Sequence, residues 1–517
     1  MIPFSDILHG FAVAFEPQNI LFALIGALVG TIIGALPGLG PSATIAILLP
    51  LTIGLEPVSA LIMFVGIYTG AMYGGSITTI LVNAPGESAS VVTALDGYQL
   101  ARQGRAGAAL GMAAISSFAA GTLAVVLLMF GAPLLSSFAL RLGPPEYFAI
   151  LLLGFALLAF MGGRSKAKVL VSLAAGLLVA TVGADPVSGQ NRFTFGVVDL
   201  IDGVDFVIVA MGVFALAEIL VNLRTGMGTL QASRPKWRSV YPKRADLRET
   251  WPSMLRGGLV GFFVGVLPGA GATIASLFSY GVERRLSKRP ETFGKGAMAG
   301  VVAPEGANNA ATAGALVPLL TLGIPGSGAT AVMLGGLVLY GVQPGPLLMQ
   351  EQPALVWGVI ASLYLANVVL LVLNLPLVPL FASVLRMPYH YLSTLVFLVA
   401  VIGAFSLRNN VVDVLLLAFF TLLGYGMRRL GYPAAPFVLA VVLGPMLERS
   451  LNQSLTISQG DLGVFVQRPI SLGVLCLTVL LLLASAVGPV RRLLSKSDDA
   501  VPGEATNAST AELERHP

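Results

Sequence analysis

Gly34-Ala-Leu-Pro-Gly-Leu-Gly-Pro-Ser-Ala-Thr44 is one of two stretches that decide how this chain folds; the other is Gly265-Val-Leu-Pro-Gly-Ala-Gly-Ala-Thr273. Each sets Leu-Pro-Gly inside a long apolar run. Proline removes a backbone donor and glycine permits positive φ, so a helix must break there. A second pair of motifs follows in the same order. Asn83-Ala-Pro-Gly-Glu-Ser-Ala-Ser90 matches Gly323-Ile-Pro-Gly-Ser-Gly-Ala-Thr330. Two motifs recurring in order and at similar spacing point to an internal duplication.

Charge gives the copies opposite surroundings. The first basic residue of the chain is Arg102, so nothing basic precedes residues 36–40 and nothing basic follows them for a long stretch. Residues 267–271 are bracketed by Arg256 and by Arg284, Arg285, Lys288 and Arg289. Lys and Arg gather on the cytoplasmic side of membrane proteins. The contrast predicts inverted repeats, with both flanks of the first motif outside and both flanks of the second inside. Each motif then becomes the tip of a re-entrant helical hairpin. Backbone exposed at such a break is tolerated only in a protein interior or a wet cavity. Broken helices in inverted repeats mark secondary transporters.

Composition agrees with a membrane setting. The chain has 517 residues, 56% hydrophobic and 11% charged, whereas soluble domains carry about 25% charged residues. Mean hydropathy is +0.86. The fold class expected is an all-α polytopic membrane protein with roughly ten to twelve membrane segments. The expected divisions are a first membrane half (1–221), a basic cytoplasmic loop (222–256), a second membrane half (257–492) and a disordered cytoplasmic tail (493–517). The N-terminus lacks the basic start and small-residue cleavage site of a signal peptide and is expected to be retained. Cys476 is the single cysteine and there are three histidines, which excludes a disulfide framework or thiolate cluster and disfavours a histidine metal site. No Gly-x4-Gly-Lys-Ser/Thr, His-Glu-x-x-His or Gly-x-Ser-x-Gly element appears, so enzyme readings lack their chemistry.

The breaks supply the available chemistry. Half-helix N-termini attract carboxylates, and free carbonyls at the other ends coordinate Na⁺. The candidate substrate and ion residues in the first repeat are Pro37, Gly38, Gly40, Ser42, Asn83, Pro85, Gly86 and Ser88. In the second they are Pro268, Gly269, Gly271, Thr273, Glu305, Asn308, Asn309, Pro325, Gly326, Ser327 and Thr330. The asparagines Asn83, Asn308 and Asn309 stand beside Gly/Pro breaks and mark a candidate Na⁺ position. Glu305 and Glu87 would each bind a cation or carry a proton, because buried carboxylates in membranes are costly and usually functional. A solvent-facing position stays open for Glu87. Asp96 reads as a helix-end or loop residue near Arg102. No catalytic residue and no cofactor are expected, only a coupling ion, Na⁺ or H⁺.

Longer stretches carry a resemblance. They include Tyr73-Gly-Gly-Ser-Ile77, Ala94-Leu-Asp-Gly-Tyr98 with Gln103-Gly-Arg-Ala-Gly107, Gly143-Pro-Pro-Glu146, Arg192-Phe-Thr-Phe-Gly196, Ala303-Pro-Glu-Gly-Ala-Asn-Asn309, Gly424-Tyr-Gly-Met427, Leu443-Gly-Pro-Met446 and Arg468-Pro-Ile-Ser471. With the motifs above, the chain resembles the large membrane subunit of the tripartite tricarboxylate transporter family over nearly its whole length. The resemblance implies a small four-helix membrane subunit and a periplasmic solute-binding protein as partners. It implies uptake of a carboxylate such as citrate across a bacterial inner membrane, driven by an ion gradient. An anion channel, or a permease for a different small organic anion, is the alternative.

Overall fold

The computed structural model describes residues 4–36, 39–161, 165–185, 187–225, 237–384 and 389–495. Helices dominate. The first half holds α1 (Phe4–Ala14), α2 (Pro17–Ala35), α3 (Pro41–Leu48), α4 (Pro57–Val82), α5 (Ala94–Arg102), α6 (Ala106–Ala139), α7 (Pro144–Met161), α8 (Lys166–Ala180), α9 (Phe206–Ala210) and α10 (Ala217–Thr225), with a π-helical turn at Met211–Leu216. A two-stranded antiparallel ribbon, β1 (Gly183–Ala184) and β2 (Asn191–Arg192), lies in the loop after α8. The second half holds α11 (Arg244–Val266), α12 (Gly271–Leu286), α13 (Ala299–Leu322), α14 (Gly328–Leu339), α15 (Leu348–Glu351), α16 (Pro353–Asn374), α17 (Val378–Val384), α18 (Tyr389–Arg408), α19 (Val411–Leu430), α20 (Ala434–Ile457), α21 (Val464–Gln467) and α22 (Pro469–Ser495).

Among the described residues seven helices are long and apolar enough to cross a membrane, and six more apolar helices are shorter. The protein is an all-α polytopic membrane protein. Proline opens α2, α3, α4, α7, α16 and α22, at the first helical position where its missing N–H has no acceptor to lose. The stretch expected as a loop, 222–256, is helical at both ends: α10 runs to Thr225 and α11 begins at Arg244. The tail from 496 onward lies outside the described residues.

The duplication is visible in the packing. Gly26, Gly30 and Gly34 of α2 lie against the carbonyls of Met63, Ile67 and Ala71 of α4; a Cβ on any of them would come within 2.2–2.4 Å of those oxygens. In the second half Gly257, Gly261 and Gly265 of α11 lie in the same way against Ala303, Ala307 and Ala311 of α13. Numbers rise together on both partners, so each pair runs parallel, and the chain must double back between them. It does so between α2 and α3 in the first repeat and at Leu267–Gly269 in the second. The second motif is a hairpin turn. Glu283 of α12 accepts from Ser253 (2.7 Å) and Arg256 (2.7 and 2.9 Å) of α11, residues nearly equidistant from the tip. At the first motif the return is splayed. α3 is short and leaves α2 to seat against α14 and the π-turn.

The equivalent helices α4 and α13 cross antiparallel. Tyr68 of α4 donates to Ser327 just beyond α13 (3.0 Å), and Ser76 further along α4 donates to Glu305 near its start (2.5 Å). An operation that maps one repeat on the other therefore reverses helix direction, which is the inverted arrangement. The basic segments also converge. Arg105 pairs with Asp246 (2.9 Å) and Gln103 donates to the Lys295 carbonyl (2.9 Å). Lys168 donates to the Leu430 carbonyl, and Arg224 to the Tyr425 hydroxyl (3.1 Å).

Candidate functional site

Both helices that precede the second breaks end in left-handed caps at equivalent positions, Asn83 (φ 56°) and Gly323 (φ 69°). Asparagine is among the side-chain-bearing residues that enter this region most readily, which explains its place there. From these caps the chain folds back on its own repeat. Gly86 abuts the Gly34 carbonyl so closely that a Cβ would lie 2.1 Å from it. The Gly326 carbonyl accepts from the Gly269 N–H (3.1 Å). The second break thus closes on the Leu-Pro-Gly tip of its own repeat, and the first on the end of α2 that leads into its tip.

Between repeats the contacts are crossed. Ser88, in the first break, shares a hydrogen bond with Thr273 at the start of α12 (3.0 Å). Ser42, at the start of α3, sits beside Gly328 at the end of the second break. These two contacts are equivalent under the duplication. The helix that returns from each tip leans on the other repeat's break. The contacts between repeats at the tips run through the returning helices; Pro37 and Gly38 lie outside the described residues. Tip two packs instead on α7, with Gly269 against Leu158 and Pro268 near Gly154.

A cavity of about 350 Å³ opens beside the first tip and break. Gly40, Pro41, Ser42 and Ala43 line it from the start of α3; Pro85, Gly86, Glu87 and Ser88 line it from the break. Phe214 from the π-turn, Glu218 from α10 and Arg428 from α19 complete the wall. Its volume lies within the range of small-molecule sites, about 300–1,000 Å³. Ser88 donates to Glu87 (2.9 Å), whose carboxylate faces Gly40. Arg428 is ion-paired with Glu218, and its Nε is buried without a partner among the described residues. In the sequence alone, Arg428 has the ordinary role of a basic residue that sets topology. Glu218, the one acid in the apolar stretch 206–221, was the overlooked clue: ionisable residues inside membrane helices mark functional interiors.

Glu305, Asn308 and Asn309 form a separate, buried network. Glu305 is 0% exposed and accepts from Ser76 (2.5 Å), Thr93 (2.5 Å) and Asn308 (3.1 Å). Asn309 donates to Ser117 (2.8 Å), to Asn308 Oδ1 (2.7 Å) and to the Glu305 carbonyl (3.3 Å). The three asparagines named beside a candidate Na⁺ stand in different surroundings. Asn83 is exposed at the cap of α4, while the other two asparagines are buried within α13. Ser327 and Thr330 bond each other as the capping box of α14, and Pro325 is buried behind them. Asp96 lies at a helix end as expected, but with partners that the sequence did not show. It is buried in the first turn of α5 and accepts from the N–H groups of Gly294 (2.9 Å), Gly296 (2.8 Å) and Ala297 (2.8 Å) and from the Tyr280 hydroxyl (2.9 Å).

The family model of the tripartite tricarboxylate transporter TctA family matches residues 20–439. The chain belongs to that family. Membership makes it a membrane transport protein, and the TctA match spans both repeats, both breaks and the cavity wall through Arg428. Two proteins from Agrobacterium vitis are similar to this chain. One, an uncharacterized 52.8 kDa protein in the TAR-I ttuC' 3' region, is 46% identical over 483 residues, covering 92% of this chain and 96% of the relative. The other, an uncharacterized protein in the TAR-II ttuC' 3' region, is 45% identical over 227 residues, covering 43% of this chain and 94% of its own length. No solved structure matches.

Proposed function

We propose that this TctA-family chain is the large permease subunit of a secondary transporter that imports carboxylates of the citrate class across the bacterial inner membrane. It works with a small four-helix membrane subunit and a periplasmic solute-binding protein, and a Na⁺ or H⁺ gradient drives it. The observation that carries the reading is the cavity between the first tip, the first break and Arg428. Arg428 offers a planar donor fork suited to a carboxylate. The first turn of α3 lines the opposite wall, where helix N–H groups lack intrahelical acceptors and attract anions. A substrate with more than one carboxylate would meet both. An arriving anion also enters a cavity that already holds Glu87 and Glu218 against one guanidinium, so cation binding must accompany it. That is the electrostatic reason for coupling.

Uptake of radiolabelled citrate or a related carboxylate, in cells that also express the two partner subunits, tests this. Arg428→Gln combined with Glu218→Gln removes both members of the ion pair and leaves no stranded charge. The double variant is expected to insert normally and to lose at least tenfold in uptake. Wild-type uptake in that variant would exclude the cavity as the pathway.

A further inference from the structure

A second cavity, about 10 Å³, is buried among α4, α6 and the α16–α17 region. It holds about one water-sized occupant. Its polar lining is Tyr73, Ser76, Ser117 and Asn374; the rest of the wall is apolar. All four are buried. Tyr73 Oη and Asn374 Oδ1 have no hydrogen-bond partner among the described residues. The Asn374 amide N–H₂ is already engaged with the Leu370 carbonyl (3.1 Å) and Thr31 (3.3 Å). The two serine protons are engaged as well: Ser76 donates to the Glu305 carboxylate (2.5 Å) and Ser117 to the Glu305 carbonyl (3.2 Å). Ser76, Ser117 and Asn374 therefore turn oxygen lone pairs to the cavity, and Tyr73 turns a hydroxyl to it that accepts from one side while its proton points away.

The same cavity lies one hydroxyl away from a fully buried carboxyl group. Glu305 is held by Ser76, Thr93 and Asn308, all neutral, and no cationic side chain pairs with it among the described residues. A buried carboxylate without a counter-charge is expensive. Water in the cavity would satisfy the oxygens while Glu305 stayed neutral, holding a proton. A hard cation would satisfy the oxygens and let Glu305 be ionised, because hard ions take oxygen ligands. We propose that the cavity formed by Tyr73, Ser76, Ser117 and Asn374 is a sodium site, with Glu305 as its counter-charge through Ser76. Thr93 closes the 3₁₀ turn that directly follows the first break, so an ion here braces the wall of the large cavity. Its role in coupling rests on the carboxylate-import reading; the site itself does not.

Thermal unfolding of the purified chain in detergent, without substrate, tests the site. NaCl is titrated against KCl and choline chloride at constant ionic strength. Sodium is expected to raise the wild-type midpoint more than potassium does. In Tyr73→Phe and in Asn374→Leu the sodium concentration for half the shift should rise at least tenfold, and in Glu305→Gln the sodium-specific shift should vanish. Equal midpoints in sodium and potassium would mean an ordered water and overturn the proposal. So would stabilisation by acid pH without a sodium effect, or a sodium shift unchanged in the Tyr73 and Asn374 variants. Carboxylate uptake that ignores sodium would strip the site of any role in coupling and spare the import reading. A sodium shift in a chain that moves no carboxylate would do the reverse.

Discussion

Asp96 shows at the scale of one side chain how the two repeats are tied. Its carboxylate gathers three backbone N–H groups from residues 294–297 and the Tyr280 hydroxyl, all contributed by the other repeat. Hydrogen bonds to a charged acceptor contribute roughly 1.5–3 kcal/mol each, and a buried donor left unpaired costs a further 1–3. Asp96→Ala strands several donors at once, so a loss of about 3 kcal/mol or more is expected. It should appear as a lowered apparent melting temperature in detergent, with Asp96→Asn in between because its remaining oxygen still accepts. An alanine variant that melts like wild type would remove this latch from the account. The sequence could not show this role, since every partner lies some two hundred positions away. Glu305 was legible for the opposite reason: an acid inside an apolar run is anomalous wherever its partners are. Arg428 fell between these cases, because a basic residue at a helix end has an ordinary explanation as a topology marker.

At the scale of helices, close approach of backbones holds each repeat together. Membrane helices gain nothing from apolar contact over lipid, so small residues that permit tight packing carry their association. Gly30 and Gly261 sit at the centres of the two ladders, where a Cβ would fall 2.4 and 2.2 Å from the carbonyls of Ile67 and Ala307. Backbone cannot yield as a side-chain tip can. Gly30→Ala or Gly261→Ala should therefore destabilise by about 1–3 kcal/mol or more, as overpacking does. Gly131→Ala is the matched control: it lies inside α6 with open space around it and should be neutral or slightly stabilising. Equal melting of all three variants would deny the ladders their role. The breaks themselves were readable, since proline and glycine act locally. The splayed course of α3 was not, because it is set by α14 and the π-turn, which the local sequence does not name.

At the scale of the molecule, the two repeats share motifs but not environment. Asn83, Pro85 and Ser88 of the first break are exposed, whereas residues 323–326 of the second are buried. Equivalent backbone thus stands in unequal surroundings in the two halves. The open break lies beside Arg428, in the last turn of α19, where Lys168 and Arg224 also gather. If that basic end is cytoplasmic, as charge placement predicts, the structure is an inward-facing form, and exchange of the two environments would open the opposite side. Single cysteines in a Cys476→Ala background report this directly. Ser88→Cys should react with an impermeant maleimide in inside-out vesicles at least tenfold faster than Ile324→Cys. Right-side-out vesicles should protect both in the absence of substrate. Equal rates at the two positions, or labelling of Ser88→Cys from the periplasmic face alone, would contradict the assigned state. The test also reaches back to the charge pattern around the two Leu-Pro-Gly motifs, because inversion is what requires the exposed break and the buried one to face opposite sides.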